Sequence, residues 1–178
     1  MFHNILVAVD GSRDAEQALR EAIDLAESEH ARLTLITALS QVPATAYGAP
    51  GLPVAQLLED AHAEAEAILR RARERIPDGV SVTTVLTEQP IRAALIRQIA
   101  DGHHDLVMMG SRGRGAVRAA LLGSVSHYVL NHSPIPVLIV GPDPDLVDHR
   151  DHERGRARWQ RGTGAPSGAV VSRTGRER

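Results

Sequence analysis

The chain has 178 residues, a formal net charge of −2 and aromatic side chains at only 2% of positions. One domain with a core of Val, Leu, Ile and Ala is expected, a composition that suits helices laid on a parallel sheet better than an aromatic-rich barrel or an RNA-stacking surface. The absence of cysteine removes disulfides, thiolate zinc sites and cysteine nucleophiles, and because every basic residue is an arginine the lysine-dependent Walker A loop is excluded as well.

The N-terminus, MFHNILVAVDG, has neither the basic region nor the apolar length of a signal peptide, and no stretch approaches a membrane span, so a cytoplasmic protein without a membrane partner is expected. Asn4 to Val9 is a continuous apolar run ending at Asp10-Gly11-Ser12, the pattern of a strand buried on both faces. Ser12 is placed to cap a helix from Arg13 to Glu29, in which Ala15, Ala18, Leu19, Ala22, Ile23 and Ala26 recur at helical spacing. Arg32 to Leu39 returns to a strand pattern, and strand-helix-strand implies parallel pairing with a right-handed crossover.

Three prolines and two glycines between Gln41 and Pro53 predict a long loop. A helix follows from Val54, with Leu57, Leu58, Ala61, Ala65, Ile68, Leu69 and Ala72 as one core stripe, ended by Pro77-Asp78-Gly79. Ser81 to Leu86 reads as a third strand. Pro90 is expected in the first turn of a helix through Ile91, Leu95 and Ile99. Leu106 to Met109 is a fourth strand, the helix after Ser124 ends near Asn131, and Val137 to Val140 is a fifth strand. Residues 142–178 are expected to be a disordered tail: from Val147 onward eight arginines face four acids with almost no apolar periodicity. With Trp159 its only aromatic, the tail lacks the features of a nucleic-acid arm.

These elements predict an α/β fold, a five-stranded doubly wound parallel sheet of order 3-2-1-4-5 with helices on both faces. Its topological switch point lies between strands one and four, so Asp10 and the glycine loop after Met109 should face one crevice, where such sheets bind ligands. Gly110 and Gly113 allow close backbone approach, and Ser124 stands where a helix N-cap would sit, so phosphate can be held by N–H groups and the helix dipole without lysine. Asp10 could take a ribose hydroxyl or a metal ion through water, or serve only as a cap with Ser12. Arg112 and Arg114 flank the loop as candidate phosphate clamps, or as solvated arginines. His103-His104-Asp105 reads as surface rather than a metal site, and His127 as a structural helix-face residue.

Val7 to Ser12 (VAVDGS), Gly110-x-x-Gly113-(nine residues)-Gly123-Ser124 and Pro134 to Val140 (PIPVLIV) together closely resemble the universal stress protein family, in its ATP-binding branch, over about residues 1 to 141. By that resemblance Asp10 is the ribose-side or metal-side carboxylate, Ala8 and Val9 line the base pocket, and the Ala38 backbone meets adenine. Met109 and Gly110 start the loop, and Arg112, Gly113, Gly123, Ser124, Val125 and Ser126 contact phosphate. The resemblance further implies ATP with Mg2+, a regulatory role with at most slow hydrolysis, a homodimer through Val137 to Val140 and an unidentified protein partner. Two departures stand out: Glu88-Gln89-Pro90 where many relatives have Gly-x-Pro, and the basic tail. Two other readings are open. One is an interaction module for another nucleotide such as cyclic AMP. The other is an adenylating enzyme of the adenine nucleotide α-hydrolase-like group, whose Ser-Gly-Gly-x-Asp-Ser loop is here replaced by Asp10-Gly11-Ser12-Arg13.

Overall fold

The computed structural model describes residues 1–41, 45, 51–115 and 122–141. Most of the predicted 41–53 loop, the middle of the glycine loop and the predicted 142–178 tail lie outside the described residues. The elements run β1 (Asn4–Ala8), α1 (Arg13–Glu29), β2 (Arg32–Ala38), α2 (Val54–Arg73), β3 (Val82–Thr87), α3 (Ile91–Asp101), β4 (Leu106–Gly110), α4 (Ser124–His132) and β5 (Val137–Val140). The strands form one sheet in the order β3-β2-β1-β4-β5, and every pairing is parallel. Strand order and element sequence are those expected, with boundaries displaced by one to three residues, most at the end of α2, which stops at Arg73.

Side-chain alternation explains why the sheet takes a helical layer on each face. In the central strand Ile5, Leu6 and Val7 are all fully buried, but they divide. Ile5 and Val7 join Leu33, Leu35 and Met108 beneath α1 and α2, through Leu19, Ile23, Ile68 and Leu69. Leu6 joins Ile36, Val107 and Met109 on the opposite face, against Leu95 and Ile99 of α3 and Val129 of α4. A continuous apolar run is therefore required here, since neither face of the strand meets water.

Helix ends follow local chemistry in part. Ser12 caps α1 as expected, its hydroxyl accepting the Ala15 N–H at 3.3 Å. α4 differs from the expectation: Gly123, in extended conformation, occupies the N-cap, no side chain caps the helix, and Ser124 is its first residue. Pro90 likewise precedes α3 as its N-cap residue. In α2 the predicted core stripe holds from Ala61 to Ala72 but fails in the first turns, where Leu57 and Leu58 are each 38% exposed. The buried residues of α2 begin only at Ala61. Among the described residues no helix is long and apolar enough to cross a membrane.

Two contacts at opposite ends of β4 set the local geometry. At its C-terminal end Gly110 meets the first turn of α1 so closely that a Cβ there would lie 2.6 Å from both the Ala15 nitrogen and the Asp14 carbonyl carbon. At its N-terminal end the surface expectation for His104 is overturned. The ring is 6% exposed, and neither nitrogen finds a hydrogen-bond partner among the described residues. Neighbouring His103 is exposed, so the two adjacent rings do face different environments. Burial lowers the His104 pKa below the usual imidazole value of 6.5, while the Asn4 backbone and the Asp105 carboxylate pull the other way and His103 adds to the lowering.

Gly110→Ala should therefore destabilise the fold by about 1–3 kcal/mol through overpacking against backbone that has no rotamer to yield, measured as a lower urea midpoint at unchanged slope. For His104 the unfolded state binds the proton more readily than the folded state. Its contribution to stability is complete above pH 6.5 and is lost as pH falls below 6.5 toward the depressed folded value. Urea titrations between neutral and mildly acidic pH should show a shallower acid loss in His104→Leu than in the parent; parallel curves would assign the acid loss to carboxylates alone.

Candidate functional site

The turn after β1 and the loop after β4 meet because their strands are hydrogen-bonded neighbours in register, Ala8 opposite Met109. Two residues later, Asp10 reaches across. Its Oδ1 accepts the Ser12 N–H at 2.9 Å, a turn of its own backbone, and its Oδ2 accepts the Arg114 N–H at 3.1 Å from the opposite loop. The two readings of Asp10 thus coexist: it closes the local turn and also clamps the glycine loop across the switch point. Gly113 is required for this approach, since a Cβ there would lie 2.6 Å from Asp10 Oδ2. Ser12 adds a second tie, its hydroxyl donating to the Arg112 carbonyl at 3.2 Å.

Above this junction α4 begins. The Gly123 N–H donates to the Ser111 carbonyl at 2.7 Å, which docks the helix start on the loop. The N–H groups of Ser124, Val125 and Ser126 open the helix, with no carbonyl four residues back inside it, and they carry the positive end of its dipole. Ser126 has a further task. It is buried, and its hydroxyl donates to the Gly110 and Ser111 carbonyls at 2.9 and 3.2 Å, so its one proton is engaged by the loop.

Between these walls lies a crevice of about 690 Å³. Every residue nominated from the sequence lines it: Ala8, Val9, Asp10, Ala38, Met109, Gly110, Arg112, Gly113, Gly123, Ser124, Val125 and Ser126. The lining from the β2 end and the α3 start is mainly apolar, Ile36, Ala38, Leu39 and Ile91 with Thr37 and Ser40 among them, and the lining from after β4 is the glycine loop and the α4 N-terminus. The volume lies within the range usual for pockets that enclose small organic ligands. An apolar slot continuous with an anion-favouring end suits a molecule that is flat and weakly polar at one end and negatively charged at the other.

Charge at the mouth is nearly balanced. Arg112 Nε donates to Asp14 Oδ2 at 3.2 Å, and the Arg114 guanidinium pairs with Glu64 of α2. Among the described residues no three acidic or imidazole groups gather to hold a metal ion. Asp10 alone is one carboxylate, each oxygen accepting one N–H and keeping a lone pair, which suits contact with a cation through water rather than direct binding of one.

The sequence did not single out Asp14, which lies behind the loop, nor the crevice-lining Ile36, Leu39 and Ile91. Asp14 is 6% exposed and accepts the Ser111 hydroxyl at 2.7 Å as well as Arg112 Nε. An acid in the first turn of an amphipathic helix reads as a favourable charge at the dipole, and its loop partners lie 97 and 98 positions away in sequence.

Comparison with known proteins agrees with this architecture. The model of the universal stress protein family matches residues 1–141. A Staphylococcus haemolyticus protein named as a universal stress protein is 32% identical over 143 residues, covering 78% of this chain and 84% of its own. Universal stress protein YxiE of Bacillus subtilis is 29% identical over 147 residues, covering 79% and 99%. Among solved structures, UspA of Lactobacillus plantarum superposes with a TM-score of 0.68 at 26% identity, over 78% of this chain and 97% of that one. The family match spans the sheet, the Asp10 turn and the glycine loop together: this chain belongs to the universal stress protein family.

Proposed function

We propose that the crevice binds ATP, with Mg2+ accompanying the triphosphate, and that the chain works as a nucleotide-responsive regulatory module in the cytoplasm. The observation that carries the reading is the meeting, across the switch point, of Asp10, the Gly113 loop and the uncapped α4 N-terminus at one end of an apolar slot. In this reading adenine lies between Val9, Ala38 and Met109, ribose approaches Asp10, and the phosphates take the N–H groups of Gly113, Ser124 and Val125. Proteins of this fold have been solved with AMP, cAMP and dAMP, at 16, 24 and 19% identity to this chain. They share its fold, and the choice of ATP rests on the resemblance of Gly110-x-x-Gly113-(nine residues)-Gly123-Ser124 to the family's ATP-binding branch.

The same residues argue for holding nucleotide rather than cleaving it. Rapid phosphoryl transfer needs a positioned base and cations aimed at the moving phosphoryl group. The chain has no lysine, the two arginines at the crevice are each already bonded to a carboxylate, Arg112 to Asp14 and Arg114 to Glu64, and both oxygens of Asp10 accept backbone N–H groups, so no base is positioned on an attacking water. The nucleotide unit in this reading is residues 1–141, and its partner is a second copy. β5 is an edge strand with Leu138 44% exposed, and pairing Val137–Val140 with its copy would cover that edge.

Protein denatured as purified, or loaded with ATP and Mg2+ and then desalted, should release an adenine nucleotide identified by mass. Gly113→Ala should weaken ATP binding by about tenfold, roughly 1.4 kcal/mol, while the thermal melt of the nucleotide-free protein changes little. No released nucleotide and no thermal shift with ATP and Mg2+ would contradict the reading. Binding of cyclic AMP without ATP would replace the ligand, and turnover at about one per second or faster would make the chain an enzyme.

A further inference from the structure

Arg112 stands between two demands. It lines the phosphate end of the crevice beside Gly113 and Gly123, yet one edge of its guanidinium is already spoken for, Nε donating to Asp14. Asp14 is itself fixed from three sides. Its backbone abuts Gly110, its Oδ2 accepts the Ser111 hydroxyl as well as Arg112 Nε, and its position in the first turn of α1 places its charge at the favourable end of that helix dipole. Buried to 6% exposure, it holds Arg112 through a charge-assisted bond in a setting where water competes poorly. Because the bond uses Nε, the two terminal NH2 groups keep their donors, and among the described residues they have no protein partner. A guanidinium anchored at one edge presents the other as a rigid fork, the shape that matches two oxygens of one phosphate.

We propose that Asp14 is a positioning residue for anionic ligands: with Ser111 it aims Arg112 at the phosphate end of the crevice, so that affinity for a phosphorylated nucleoside depends on Asp14 and affinity for the bare nucleoside does not. This rests on the nucleotide reading above and deepens it by assigning phosphate discrimination to a side chain that itself touches no ligand. The opposite effect of the same carboxylate gives the proposal its risk. Its negative charge offsets that of Arg112, and if neutralising Arg112 were its main influence, removing the charge would strengthen phosphate binding rather than weaken it.

The test is calorimetric titration of nucleotide-stripped protein with AMP and with adenosine, in the parent, Asp14→Asn, Ser111→Ala, Arg112→Gln and the Asp14→Asn/Arg112→Gln pair. Positioning predicts that Asp14→Asn loses about tenfold in AMP affinity and none in adenosine affinity, with Ser111→Ala falling between. Once Arg112 is absent, the further change from Asp14→Asn should vanish. Retained adenosine binding identifies a folded variant, and Ser111→Ala, which leaves both charges in place, decides the matter if Asp14→Asn fails to fold. Tighter AMP binding in Asp14→Asn, equal losses for AMP and adenosine, or a full additional loss in the double variant would overturn the proposal while leaving the nucleotide reading intact. A parent protein that binds neither ligand would overturn both.

Discussion

The approach of Gly110 to the first turn of α1 governs the rest of the site. A strand end and a helix start come within 2.6 Å of where a Cβ would sit, so the loop leaving β4 is pressed against the residues leaving β1. From that contact the remaining bonds follow at short range. Asp10 reaches the Arg114 N–H, Ser12 reaches the Arg112 carbonyl, and Asp14 reaches Ser111 and Arg112. The glycines of the loop are thereby given different physical tasks. Gly110 lets backbone meet backbone, Gly113 lets a carboxylate approach, and Gly123 sits among ordinary contacts, the nearest at 3.4 Å, as an extended cap.

In the proposed reading, holding an anion without lysine places most of the burden on groups that do not titrate. Backbone N–H donors and a helix dipole are fixed by the fold and add no net charge. The charged groups at the mouth are largely paired with one another, Arg112 with Asp14 and Arg114 with Glu64, leaving the Asp10 carboxylate as the excess. A polyphosphate entering such a site brings more negative charge than the protein offsets, which is the physical reason for a divalent ion to accompany it.

Much of this was legible in the sequence. Apolar runs without alternation predicted strands covered on both faces, glycine and proline marked their ends, and a winding outward through strands one to three and then back across strand one placed the switch point. What escaped were interactions that depend on long-range placement. Asp14 looks like any acid at a helix start until Arg112, 98 positions later, is brought over it. His104 looks exposed because a His-His-Asp cluster is polar on average, yet burial is decided by which face of the strand entry each ring takes. Leu57 and Leu58 continue a helical stripe that the helix itself outruns, so periodicity overstates the core at that end. A Ser at a loop-to-helix junction suggests a cap, but the docking of Gly123 on Ser111 moves the helix start by one residue and makes the cap backbone alone.

The central claim is that backbone donors at the junction of the glycine loop and α4, opposite Asp10, receive the phosphates of an adenine nucleotide. Amide chemical-shift mapping of isotope-labelled protein titrated with ATP and Mg2+ addresses it most directly. The account predicts that the largest shifts fall on Gly113, Gly123, Ser124 and Val125, with smaller ones at Val9 and Ala38. Shifts centred elsewhere, or a spectrum unchanged at saturating ATP, would contradict it.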